Sequence, residues 1–189
     1  MDQLIKRIQA EGQYIGNGIL KVDGFINHQV DAALMDEAGK EFARIFKDIS
    51  PTKILTAEIS GIAPAVATGL HMKIPVVFAR KHKPITMPDQ VLLTLSPSHT
   101  KGRIVELIVS PEYLGSDERV LIIDDFLASG LTILGLIKLT EIAGAEIVGV
   151  GTLIEKSFEG GRKKLEELNI PVHSLARIQS MSEDGIIFH

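Results

Sequence analysis

Residues 119–132, RVLIIDDFLASGLT, join an apolar run to two adjacent carboxylates and then to a cluster of small residues. Packing alone gives no reason for acids at Asp124 and Asp125. Carboxylates at the end of a strand accept hydrogen bonds from sugar hydroxyls or hold a divalent cation. Ala128, Ser129, Gly130, Leu131 and Thr132 follow at once. Gly130 lets backbone N–H groups approach a ligand closely, and a helix opening after it presents its positive N-terminal end. Ser129 and Thr132 add hydroxyls. The segment is thus acceptor-rich at one end and anion-binding a few residues later, which are the two requirements of a phosphorylated sugar. Successive side chains on a regular strand point to opposite faces, so both acids can meet one ligand only if the chain is already turning out of the sheet there. A simple helix cap would need one carboxylate, and two are present.

The elements that must position this segment follow from the hydrophobic pattern. MDQLIKRIQAEG reads as a short amphipathic helix and not as a secretory signal. Residues 18–30 look extended and irregular. Residues 31–47 read as a helix capped by Asp31, with Leu34, Met35, Ala38, Phe42, Ile45 and Phe46 at helical spacing. Strands are predicted at 53–58, 74–80, 119–126, 146–156 and, as the last, 171–178; helices are predicted at 63–70, 131–144 and 161–169. Alternating strands and helices imply parallel βαβ units, and the continuous apolar runs 120–123 and 147–154 suit strands covered on both faces. In such sheets ligands sit beyond the carboxyl ends of the strands, where Asp124 and Asp125 fall. Residues 81–118 interrupt the alternation. QVLLTLSPS and GRIVELIVS pair as a long hairpin about SPSHTKG, serving either as a mobile lid or as a sheet extension or subunit contact.

Composition narrows the function classes. The chain has 189 residues, enough for one domain with a sizeable core. Its formal charge of −4 disfavours a role in coating nucleic acid. No cysteine is present, which removes thiolate nucleophiles and cysteine-ligated zinc and is compatible with the cytoplasm. No apolar run reaches the ~18 residues of a membrane span. The Gly-rich phosphate loop of nucleoside triphosphatases, G-x-x-x-x-G-K-[ST], is absent, as is a G-x-G-x-x-G turn after the first strand.

VLIIDDFLASGLT resembles the phosphoribosyl pyrophosphate (PRPP) signature of type I phosphoribosyltransferases, with Ser129 where Thr is commoner and Leu131 where Gly is frequent. The resemblance implies a single-domain α/β fold over 1–189: a central, mainly parallel sheet flanked by helices, N-terminal helices and a base-covering hood in 1–50, and a flexible β-hairpin insertion at 81–118. It implies that Ala128–Thr132 hold the 5′-phosphate and that Asp124 and Asp125 fix the ribose. AEISGIAPA (57–65) resembles the family's pyrophosphate loop, so Ile59, Ser60 and Gly61 would bind pyrophosphate through backbone amides. ARKHKPITMP (79–88) resembles the basic start of the flexible loop. Lys81 would then act on the pyrophosphate of a neighbouring subunit, with loop 81–103 crossing between the members of a homodimer.

ILKVDGFINHQVD, SGIAPAV, PVVFARKHK, IEKSF and SLARIQS are together similar to the bacterial xanthine-using members. That likeness implies Leu20 and Asn27 at the base, Lys156 opposite them, and Phe126 or Leu127 packed on the purine face. Asn27 and Lys156 are donors suited to the two exocyclic oxygens of xanthine, whereas the 2-amino group of guanine asks for an acceptor. The cofactor implied is Mg2+, held through PRPP with Asp124 and Asp125 as the protein's candidate ligands. Two other readings stay open. One is a hypoxanthine-guanine or adenine enzyme, although adenine members tend to carry Arg where Ser60 stands. The other is a purine-responsive regulator of the same fold, which would need a DNA-binding domain and a basic surface.

Overall fold

The computed structural model describes residues 1–97 and 104–189. Helix α1 (Asp2–Glu11) is followed by the short strands β1 (Gln13–Tyr14) and β2 (Leu20–Lys21), which pair as a small hairpin. Residues 23–27 then form a π-helical turn. Helix α2 (Ala32–Ile45) starts where the sequence places its cap, and Asp31 accepts from the backbone N–H of Leu34 at 3.1 Å. Strand β3 (Lys53–Ala57), helix α3 (Ile62–Met72) and strand β4 (Val76–Ala79) make the first parallel unit. The hairpin β5 (Leu92–Pro97) and β6 (Ile104–Val109) follows. Strand β7 (Arg119–Leu127), helix α4 (Leu131–Ile142), strand β8 (Glu146–Lys156), helix α5 (Gly161–Glu166) and strand β9 (Val172–Ser182) continue the alternation. Strand β10 (Gly185–Phe188) closes the described chain.

The main sheet has six strands in the order β10-β9-β8-β7-β3-β4, parallel except for β10. From β3 the chain moves outward to β4; from β7 it moves outward the other way to β8 and β9. The switch point lies between β3 and β7, where open α/β sheets bind their ligands. Both faces are covered. Leu4, Ile8, Leu34, Ala38, Phe42 and Phe46 pack with Leu121 and Ile123 on one side. Ile133, Leu136, Leu139 and Leu165 pack with Val120 and Ile122 on the other. This explains why the β7 and β8 sequences are almost wholly apolar.

Several expectations are corrected here. Residues 171–178 are not the last strand: β9 runs on to Ser182 and turns through Glu183–Asp184 into β10. Helix α5 ends at Glu166 instead of 169, because it has one apolar anchor, buried Leu165, while Leu168 is 48% exposed. The hairpin pairs as the sequence indicates, Leu92 with Val109 through Pro97 with Ile104. It forms its own two-stranded sheet instead of extending the main one, joined to the segment after β4 by a bridge between Arg80 and Ile108. Its base is fixed: Leu107, Ile108 and Val109 are buried, and the hydroxyl of Ser96 donates to the carbonyl of Leu131 at 3.1 Å. The turn at 98–103 lies outside the described residues.

Candidate functional site

Strand β7 does not leave the sheet before its acids. Asp124 is in register with Thr152, and Phe126 with Ile154. What changes is the alternation of its faces. Leu121 and Ile123 belong to the first core and Val120 and Ile122 to the second, so strict alternation would put Leu127 in the first. Instead Phe126 packs against the first core and Leu127 lies in the second. The strand therefore twists across Asp124 and Asp125, and both carboxylates line one cavity while the pairing with β8 continues.

That cavity, of about 260 Å³, lies over the switch point between the ends of β3 and β7. Ser60 and Gly61 line one wall, and Ala128, Ser129, Gly130, Leu131 and Thr132 line the other. Gly130 has a left-handed backbone (φ 79°) that turns the chain into α4, whose first N–H groups have no acceptor within the helix. Gly61 is required for space. A Cβ there would lie 2.3 Å from Oδ1 of Asp124 and 2.3 Å from Oγ1 of Thr56, closer than any non-bonded contact allows. Ile59 does not line the cavity with its side chain, which is 77% exposed, so its share in this wall is limited to backbone.

A second cavity, of about 910 Å³, adjoins the first and shares Lys81, Asp125, Phe126, Ala128 and Thr132 with it. Leu20, Asn27 and Lys156 all line it, together with Phe158 and Glu159 from the end of β8 and Ser96, Val105 and Leu107 from the hairpin. The Lys156 side chain is only 12% exposed, which a solubilising surface lysine would not be. Its Nζ donates to the carbonyl of Gly18 at 2.7 Å, pairs with Glu159 at 3.3 Å and lies 5.5 Å from the centre of the Phe126 ring. Asn27, in the π-helical turn, donates from Nδ2 to Oδ2 of Asp125 at 2.8 Å. The first cavity's acid is therefore tied directly to the second cavity's amide.

One candidate is corrected. Leu127 is fully buried in the second core and cannot pack on a base, so of the two neighbours only Phe126 faces the cavities. Lys81 lines both cavities, and its backbone N–H donates to Oε1 of Glu58 at 2.6 Å, which fixes the chain just after β4 beside the end of β3. Glu58 also pairs with Arg80 at 2.9 Å, and the sequence reading passed over it. The available signal is an acid directly after a strand; its basic partners, more than twenty residues on, are brought to it only by the parallel pairing of β3 with β4.

The electrostatics set Asp124 and Asp125 apart from other buried acids. Burial, and then the charge of Asp125, push the Asp124 carboxyl well above the usual carboxylate range, with Lys81 opposing. Burial also raises Asp125, offset by the hydrogen bond from Asn27. Two adjacent buried carboxyls with raised pKa values bind a proton more readily than exposed ones do. By contrast, burial at Glu155 is outweighed by Arg162, which donates to it at 2.8 and 2.6 Å, and by Ser174 at 2.6 Å, so its carboxyl titrates below the usual range.

Known proteins match this arrangement. A model of the phosphoribosyl transferase domain matches residues 27–182. The chain is 49% identical over 187 residues to a xanthine phosphoribosyltransferase of Deinococcus deserti, covering 99% of this chain and 97% of that one. It is 48% identical over 188 residues to one of Listeria innocua, covering 100% and 98%. Among solved structures, an adenine phosphoribosyltransferase from Thermoanaerobacter pseudethanolicus superposes with a TM-score of 0.74 at 23% identity, covering 92% of this chain and 99% of that one. One from Trypanosoma brucei superposes at 0.78 and 17% identity, covering 96% and 82%. These structural likenesses bear on the fold alone, whereas the family model and the long matches at nearly half identity bear on descent. With acids, small-residue loop and second loop meeting at one switch point, they establish that the chain belongs to the phosphoribosyl transferase family.

Proposed function

We propose that the protein transfers the phosphoribosyl group of PRPP to xanthine, giving xanthosine 5′-monophosphate and diphosphate, a reaction of purine salvage. The observation that carries this reading is the junction of the two cavities. A smaller cavity walled by the small-residue loop and both acids adjoins a larger pocket with an aromatic ring, an amide and a largely buried lysine, and Asp125 lies at their boundary. The 5′-phosphate would lie on the 128–132 loop, the ribose against Asp124 and Asp125, and the base between Phe126 and the Asn27 and Lys156 donors. In the reaction the bond from C1 of the ribose to the pyrophosphate oxygen breaks, and a bond from C1 to a ring nitrogen of xanthine forms, that nitrogen giving up its proton late to the departing pyrophosphate or to water. Positive charge develops on the sugar and negative charge on the departing pyrophosphate. The paired acids face the first, and Lys81 with the amides of 59–61 faces the second. Holding the sugar by its phosphate at one end and the base at the other sets the line of attack.

Among the described residues no group of three or more His, Cys, Asp or Glu side chains could hold a metal ion. Two adjacent carboxylates suit Mg2+ only where the substrate supplies the remaining oxygens, so the proposed cofactor is Mg2+ bound with PRPP. Its chemistry would be to neutralise charge on the pyrophosphate. We further propose a cytoplasmic homodimer. Exposed apolar side chains at Ile59, Val66, Leu70 and Phe78 support a second copy over α3 and β4, from which the segment beginning at Lys81 would reach the neighbouring subunit's site.

A second reading, guanine as a substrate, is favoured by Glu159, a carboxylate acceptor in the base cavity beside Lys156. Steady-state rates with PRPP, Mg2+ and each of xanthine, guanine, hypoxanthine and adenine separate the two. We expect xanthine to have the highest kcat/KM, by an order of magnitude or more. Equal efficiency with guanine would reject the assigned base pocket.

A further inference from the structure

The small-residue loop at 128–132 is braced from behind by the start of α5. Gly161 donates its backbone N–H to the carbonyl of Ala128 at 3.0 Å, and Lys164 donates from Nζ to the carbonyl of Ser129 at 2.9 Å. The approach is close enough that a Cβ on Gly161 would meet the carbonyl oxygen of Ala128 at 2.3 Å and the nitrogen of Gly130 at 2.8 Å. Helix α5 is itself anchored to β8, because Arg162 grips the buried Glu155 with two hydrogen bonds. Glu155 is the neighbour of Lys156 on the strand, so one short helix joins the end of the base-cavity strand to the loop of the anion cavity.

A peptide whose carbonyl is held from one side presents its N–H to the other, because the two groups of one peptide plane point in opposite directions. Fixing the carbonyls of Ala128 and Ser129 on α5 aims the N–H groups of Ser129 and Gly130, the other halves of those two peptides, away from α5 and toward the cavity. We propose that Lys164 is a positioning residue for binding of the sugar's 5′-phosphate. It touches no substrate, and it acts by holding the Ser129 carbonyl, so that the loop's donors are aimed at the anion before the anion arrives. Its ammonium also adds positive charge behind a loop that receives a dianion. This inference rests on the proposed reaction, in which 128–132 receives the phosphate. Arg162 contributes indirectly, by fixing the helix that carries Lys164.

Lys164 is exposed on the outer side of α5, so its removal leaves the core untouched. The test compares wild type with Lys164→Met, which keeps the stem and loses the donor, and with Lys164→Arg, which keeps a charged donor. Calorimetry measures ribose 5-phosphate and, separately, pyrophosphate with Mg2+, and steady-state assays give KM for PRPP and kcat. Loss of one charge-assisted hydrogen bond corresponds to roughly a tenfold change. We expect Lys164→Met to bind ribose 5-phosphate about tenfold more weakly and to raise KM for PRPP by a similar factor. Pyrophosphate affinity and kcat should stay within about twofold. Lys164→Arg should recover most of the loss. An unchanged ribose 5-phosphate affinity, or an equal loss for both ligands, would overturn the assignment. A wild type that binds neither ligand and turns over no base would instead overturn the reaction on which it rests.

Discussion

Replacing Asp124 by Asn keeps the shape of the side chain and removes its charge, and it should make the ligand-free protein more stable while disabling it. Asp124 is 5% exposed, and it accepts one hydrogen bond, from the N–H of Asp125 at 3.1 Å. Asn can accept that bond equally well. The native carboxylate is held in place against its own burial and against its neighbour's charge, so its pKa is raised in the fold. In the unfolded chain it titrates near the ordinary aspartate value of 3.8. Below that pH both states carry the proton, and the charge costs the fold nothing. As pH rises the unfolded chain ionises first, so wild-type stability falls until the folded group has also ionised; beyond that the deficit is constant. Each unit separating the two pKa values is worth about 1.4 kcal/mol. A domain of this length gives about 2–4 °C in Tm per kcal/mol. Thermal unfolding from pH 4 to pH 8 should therefore show the Asn variant gaining on wild type as pH rises, by several degrees at the alkaline end. Turnover should drop by about 10²-fold or more, the scale of losing a charged contact to a reacting sugar. A Tm difference that is negative, or that does not depend on pH, would refute the reasoning.

Gly61→Ala should cost about 1–3 kcal/mol, because its methyl group would overlap both Asp124 and Thr56; Thr56 is fully buried, so Asp124 is the group displaced, into the cavity it lines. Displacement of Asp124 should lower kcat/KM by about tenfold or more, which steady-state assays on the folded variant would show. Glu155→Gln should behave oppositely to Asp124→Asn. Its carboxyl is lowered by Arg162 and Ser174, so its contribution is present above the ordinary glutamate value of 4.5 and fades as pH falls through the folded pKa. At pH 7 denaturant unfolding should show a loss of about 1–3 kcal/mol, shrinking in acid, because the half-buried Arg162 loses the charge that pairs with it. Lys156→Met should raise KM for xanthine about tenfold while leaving KM for PRPP within twofold, a split that separates the base cavity from the phosphate loop.

The parts of the fold legible in the sequence are those written in short-range chemistry. Asp31 three residues before Leu34 marks the start of α2, and the uninterrupted apolar run from Ile147 marks β8, whose observed limits are Glu146–Lys156. The hairpin is readable because two strand-like segments flank the polar SPSHTKG stretch, of which Ser96 and Pro97 belong to β5. Strand β10 has a signal in the polar Glu183-Asp184 pair before Gly185: those two residues form the turn, and Gly185 pairs with Ser182. The irregular stretch at 18–30 hid its π-helical turn, because such turns have no simple periodicity. At the site, the cluster of acids and small residues was visible, since adjacent residues share one loop. Contacts across long separations were not. Asn27 bonds Asp125 across 98 positions, and Lys164 reaches Ser129 across 35. Leu127 illustrates a subtler limit. A pattern of alternation continued past Ile123 gives the wrong face, because the strand twists at the very residues that carry the chemistry.

A crystal structure with Mg2+, xanthine and an unreactive PRPP analogue tests the central claim most directly. The 5′-phosphate should rest on the N–H groups of 128–132, the ribose hydroxyls on Asp124 and Asp125, and the base against Phe126 within reach of Lys156. A sugar phosphate bound elsewhere, with the 128–132 loop unoccupied and Asp124 still turned toward Thr56 and Gly61, would contradict it.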